Sequence, residues 1–145
     1  MQKFAYTLEQ ALRWRTAVYD VENGRMAALQ QERAQLVSLI SMLTELSKGA
    51  KKGVADGSST TGEDLARLCC YRQAMETRVL RLEERKLQCD GRIAEQRKRL
   101  IAADRAKQLL EEMKAKEQEE WTYEYNRELE NTAGELYVAR WGRNG

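Results

Sequence analysis

Apolar residues recur alternately three and four positions apart from Glu63 to about Arg140. Leu65, Leu68, Met75, Val79, Leu82, Cys89, Ile93, Leu100, Ala103, Leu110 and Trp121 fall on one ladder. Its remaining rungs are long polar residues: Arg72, Lys86, Gln96, Lys107, Lys114 and Glu117. Such a heptad seam predicts a long helix lying along a partner helix. A second seam runs through Leu8, Leu12, Tyr19, Met26, Leu29, Leu36, Ile40 and Leu43, with Arg15, Glu22, Arg33 and Ser47 on the same ladder. It predicts a first helix over about 7–47.

Local signals set the boundaries. Thr7-Leu8-Glu9-Gln10 has the form of a capping box, and Tyr6 and Ala11 stand where a hydrophobic staple would. Asn23-Gly24 is a turn signal elsewhere, but the heptad phase passes through it unshifted. One continuous helix is expected there, with a break at Gly24 as the alternative. Lys48 to Gly62 carries Gly49, Gly53, Gly57 and Gly62 among Ser, Thr and Asp, and reads as a flexible loop. Thr60-Thr61-Gly62-Glu63 repeats the capping form and opens a long helix over about 63–140. Two long helices joined by such a loop fold back on each other. The expected fold is all-α, a long antiparallel two-helix coiled-coil hairpin forming a single domain over residues 1–145.

Composition narrows the class. Of 145 residues, 33% are charged, one is Phe and none is Pro, which suits uninterrupted helices better than a layered core. A net charge of +2 provides no general attraction to nucleic acid or anionic lipid. The N-terminus lacks a signal-peptide pattern and no apolar run matches a bilayer, so a cytosolic location is expected. Cys69, Cys70 and Cys89 match no common metal spacing, and no His is present to complete a zinc site. They read as semi-buried free thiols in a reducing compartment.

Catalytic chemistry is not expected. Without His there is no Ser-His-Asp or Cys-His nucleophile. No G-x-x-x-x-G-K-S/T loop is present. The carboxylates fall on exposed helix faces, and a two-helix hairpin has no concave interior. No enzyme activity, cofactor, metal or small-molecule substrate is therefore expected. Arg97-Lys98-Arg99 are consecutive and spread around the helix, flanked by Glu95 and Asp104, so nucleic acid is not an expected partner.

The two predicted helices differ in length, the second being nearly twice the first. Paired from the loop, the first reaches only about Ala103 or Lys107, leaving residues 108–140 as an overhang unless residues 1–6 extend the partner. The overhang is acidic, with Glu111, Glu112, Glu117, Glu119, Glu120, Glu124, Glu128 and Glu130 against Lys114, Lys116 and Arg127. Trp121, Tyr123 and Tyr125 cluster in it, with Tyr137 and Trp141 beyond. An unpartnered helix bearing Trp and Tyr is a candidate contact surface. Packing of these rings against Phe4, Tyr6 and Trp14 is the alternative.

The two ends also carry a family likeness. Phe4, Tyr6, Leu8, Leu12 and Arg15 match the F-x-[FY]-x-L-x-x-x-L-x-x-R opening of the flagellar export protein FliJ family. Lys107, Leu110, Glu111, Lys114, Lys116, Trp121, Glu135, Arg140 and Arg143 resemble the family's late-helix run. The Gly-rich loop and the Cys69-Cys70 pair have no counterpart in that pattern. The resemblance implies a coiled-coil stalk similar to the central shaft of rotary ATPases. It would sit in a hexameric export ATPase, promote its assembly and activity, contact a membrane export-gate protein and cycle export chaperones. The location implied is cytoplasmic, peripherally at the inner membrane of the flagellar base. Virulence-type secretion counterparts share the layout.

On that reading the ATPase-contact candidates are Trp14, Glu119, Glu120, Trp121, Tyr123, Glu124 and Tyr125. The export-gate candidates are Met75, Arg78, Val79 and Leu82, three of which also lie on the seam. A structural homodimer scaffold and a chaperone for unfolded export substrates are the rival readings.

Overall fold

The structure is a computed structural model that describes residues 2–55 and 61–144. They form two helices packed against each other, α1 (Glu9–Ala55) and α2 (Gly62–Asn144). No strand occurs among the described residues, and no helix is long and apolar enough to cross a membrane. The fold is the expected all-α hairpin. The described contacts group into two compact units, Glu22–Leu100 and Met1–Val21 with Ile101–Gly145.

In the unit Glu22–Leu100, the burial pattern reproduces both heptad ladders. Met26, Leu36 and Cys89 are buried, and Leu29, Ile40, Leu43, Leu68, Met75, Val79, Leu82, Ile93 and Leu100 are half-buried. Only Leu65, half exposed near the start of α2, and Arg33 leave the seam. Leu29 faces Cys89 and Glu22 faces Gln96, so α1 and α2 run antiparallel here. The chain stays helical through Asn23-Gly24, as the unshifted phase predicts. Gly24 lies on the outer face, with open space where a Cβ would stand.

All four helix boundaries move from their expected places, α2 running on past residue 140 to Asn144. The first helix opens at Glu9 rather than Thr7. The Leu8 carbonyl accepts the first helical N–H from Leu12 at 2.9 Å, and the Tyr6 carbonyl accepts that of Glu9 at 3.2 Å. At its other end α1 continues through Lys48–Ala55, where a loop is expected. Gly49 and Gly53 each cost about 1 kcal/mol of helix propensity. Extending an existing helix costs no new nucleus, however, and Lys52 in the last turn complements the helix dipole. Residues 56–60 of the expected loop lie outside the described residues. At α2, Thr61 caps the helix, its Oγ1 accepting the Asp64 N–H at 3.3 Å, while Thr60 lies outside the described residues. Glu63 and Asp64 add negative charge to that first turn.

The other unit departs further from expectation. Tyr6, Leu12 and Ala103 are its buried residues. The Tyr6 hydroxyl donates to the Leu110 carbonyl at 3.1 Å. The segment before α1 is not helical and lies along α2. Its Gln2 carbonyl accepts the Trp121 indole N–H at 3.3 Å, and Phe4 meets the Trp121 ring at 6.1 Å. From Tyr6 back to Gln2 the partner advances from Leu110 to Trp121. Four residues of non-helical chain span roughly 13–14 Å at full extension, close to the roughly 16 Å those eleven steps of helix rise. Extended backbone therefore covers a length of α2 that so few helical residues could not. The covered part of α2 accordingly reaches at least Trp121, well past Gln108. Every residue from 126 to 143 is exposed.

Candidate partner-contact surface

The aromatic candidates separate into an inner and an outer set. Trp121 and Tyr125 are one helical turn apart, and their rings stack at 5.1 Å with an interplanar angle of 8°. With Phe4 tilted at 59° against Trp121, the three rings close the end of the N-terminal segment onto α2. The indole N–H is satisfied by Gln2, as a half-buried Trp requires. Trp121 and Tyr125 are thus tied into packing, and Phe4 is the N-terminal ring that meets them.

Tyr6 and Trp14 do not join this cluster. Tyr6 packs about three turns earlier on α2, at Leu110. Burial raises its hydroxyl pKa above the usual tyrosine range, reinforced by the Glu117 and Glu9 carboxylates and opposed by Lys114. Trp14 is 59% exposed, with the Arg15 guanidinium 4.6 Å from its ring centre.

The outer set is a continuous patch. Glu119, Glu120, Tyr123 and Glu124 are all exposed, Tyr123 at 68%. Tyr123 follows Glu119 by four positions and Glu120 by three, so the three side chains are surface neighbours. Glu119 and Tyr123 lie on the side of α2 opposite Trp121, because two positions turn a helix by about 200°. A rigid ring among carboxylates suits a basic surface, through charge attraction at the rim and ring burial at the centre. Two contacts earlier along α2 join it to α1. Glu9 Oε2 pairs with the Lys114 ammonium at 2.9 Å, and Lys107 lies 4.6 Å from the Tyr19 ring centre.

In the other unit, Met75, Val79 and Leu82 are half-buried on the α2 seam, and only Arg78 is exposed. The four do not form one surface; three belong to the face that packs. A buried polar layer lies further along the same seam. Gln96 is 6% exposed, and its amide donates to the Glu22 backbone carbonyl at 3.0 Å and also to the Glu22 carboxylate. Glu22 in turn accepts from Arg25 at 3.1 Å. The shallow groove of about 430 Å³ beside Arg33, Asp90 and Ile93 is crossed by an Arg33–Asp90 ion pair at 2.6 Å.

One feature escapes a reading of the heptads: the extended clamp formed by Gln2, Phe4 and Tyr6, which lies before the first helix and has no helical period. The exposed apolar run at the end of α2 falls within the expected overhang. It includes Leu129, Leu136, Tyr137, Val138 and Trp141, all at least half exposed. Its signal is the lack of any first-helix residues left to face it. Comparison with family models, with curated proteins and with solved structures returns no match.

Proposed function

We propose that this chain is a non-enzymatic coiled-coil stalk of a type III protein export apparatus, standing in the pore of a hexameric export ATPase. One observation carries the reading. The N-terminal segment covers helix α2 at least to Trp121, where the helix bears an acidic, aromatic outer face. The helix then continues, exposed, to Arg143. A rod of this kind touches each subunit of a ring differently, and so biases nucleotide states around the ring without performing chemistry. The likeness of Phe4, Tyr6, Leu8, Leu12 and Arg15 to the flagellar family favours the flagellar apparatus at the cytoplasmic face of the inner membrane. A virulence-type secretion system is the alternative.

Within this reading the ring contacts fall to Trp14, Glu119, Glu120, Tyr123 and Glu124, while Trp121 and Tyr125 shape the surface from beneath. Arg78 is the outward-facing residue for an export-gate contact, and export chaperones are further partners. The homodimer scaffold is less favoured, because the seams from Glu22 to Leu100 are filled within one chain.

The test is stimulation of a hexameric export ATPase by the E119K/E120K/E124K variant. These side chains are exposed, so helicity should be unchanged while stimulation is lost. Full stimulation by the variant would refute the placement.

A further inference from the structure

The end of α2 has its own internal symmetry. Among residues 126–143, Leu129, Ala133, Leu136, Tyr137 and Trp141 share one broad face of the helix. Leu136, Tyr137 and Trp141 are 66%, 63% and 69% exposed. Charge is not uniform along the segment. Glu128, Glu130 and Glu135 outnumber Arg127 in the first part, and Arg140 and Arg143 close it. A helix that is acidic at one end and basic at the other complements its own reverse. An anionic membrane would call for cations along the whole apolar face, which this segment lacks.

The register is specific. Glu130, Ala133, Tyr137 and Arg140 are spaced three, four and three apart, a heptad stripe. Reversed about the level of Glu135, the stripe maps onto itself: Glu130 meets Arg140, and Ala133 meets Tyr137. Each pairing sets opposite charges, or a small side chain and a large one, across an antiparallel seam. A twofold axis makes each occur twice, as a self-complementary interface requires.

We propose that residues 126–143 of α2 pair antiparallel with the same residues of a second copy of this chain, Glu130 against Arg140 and Ala133 against Tyr137. The occupant is a second copy because the segment's charge order fits its own reverse and its exposed apolar face has no intrachain partner among the described residues. At roughly 27 Å of helix the contact is short, so the dimer forms and separates with concentration. Pairing hides the apolar face when copies are concentrated and frees it when they are dilute. The proposal stands independently of the stalk reading.

The test is sedimentation equilibrium under reducing conditions, with wild type, E130R, R140E and the E130R/R140E double variant. The mean mass of the wild type should rise from 16.8 kDa toward twice that value between roughly 1 and 500 μM, a range suited to interfaces below standard size. Either single reversal should raise the midpoint concentration at least tenfold, and the double variant should restore it to within threefold. Glu130 and Arg140 lie ten positions apart, beyond the reach of a pair on one helix, so rescue reports a contact between chains. Circular dichroism, expected to be the same for all four, excludes misfolding. A wild type that stays monomeric throughout overturns the proposal, as do single reversals without effect or a double variant that fails to recover.

Discussion

The Tyr6 hydroxyl donates to the carbonyl of Leu110, a residue 104 positions later. The acceptor lies inside α2, so the phenol uses a second lone pair of an oxygen that helical geometry already engages. This bond and the burial of the ring fasten the segment before α1 to the far helix. Tyr6→Phe keeps the ring and loses the bond. It should destabilise the chain by about 1 kcal/mol in urea unfolding. Tyr6→Ala also removes the ring and should cost about 3 kcal/mol or more. The pH dependence has a definite sign. Burial, with Glu117 and Glu9 nearby, raises the folded-state pKa of Tyr6 above its unfolded value, so the fold holds the proton more tightly. The associated stability is complete below the ordinary tyrosine range and is lost as pH rises through the folded pKa. Wild type should therefore lose more stability than Y6F between pH 8 and strongly alkaline solution.

The three thiols should separate cleanly by reactivity. Cys69 and Cys70 are exposed, whereas Cys89 is 2% exposed, with its Sγ 3.4 Å from the Leu29 carbonyl. Burial raises the Cys89 thiol above its usual pKa, with Glu32 and Asp90 adding to the rise and Arg92 and Arg33 opposing it. A maleimide or aromatic disulfide reagent should label Cys69 and Cys70 at once in the native protein. Cys89 should follow only as the unit Glu22–Leu100 opens, so its labelling rate measures that opening. Rapid labelling of all three would mean that the seam beside Leu29 is not closed.

Gly24 is an outer-face glycine in a continuous helix, and a methyl group at its Cα would meet nothing within 4 Å. Gly24→Ala should therefore stabilise by about 0.5–1 kcal/mol, by reducing unfolded-chain entropy. Denaturant midpoints would show it as a shift without a change of slope. A destabilising result would indicate a break at Asn23-Gly24.

The seams were legible because heptad spacing is a direct projection of packing. Arg72, Lys86, Lys107, Lys114 and Glu117, polar rungs on the ladder, are all half-buried, and Gln96 is buried outright. Gln96 takes such a position because Glu22 satisfies its amide, a pairing that depends on register between helices and has no local sequence signal. Contact of Phe4 with the overhang rings is one of the alternatives the sequence offers, and it occurs at Trp121. The extended form of the clamp of Gln2, Phe4 and Tyr6 was illegible for a different reason. Extended chain packed on a single helix has neither the period of a helix nor the alternation of a strand in a sheet. The division of the aromatic candidates into inner and outer sets follows from which face the clamp covers. Helix continuing through Gly49 and Gly53 shows how cooperativity overrides local breaker residues.

The hydrogen bond from Trp121 to Gln2 joins positions 119 apart, nearly the full span of the chain. A ribosome emits residue 2 long before residue 121, so the opening segment waits without its docking site until residue 121 emerges. The pairing Leu29 to Cys89 closes a loop about half as long. Entropy of closure rises only slowly with loop length, and each pair formed nearer the turn shortens the loop still to be closed. Folding is thus expected to zip from the turn outward, with the aromatic latch around Trp121 fastening last. The same order in reverse makes that latch the first point to release under load.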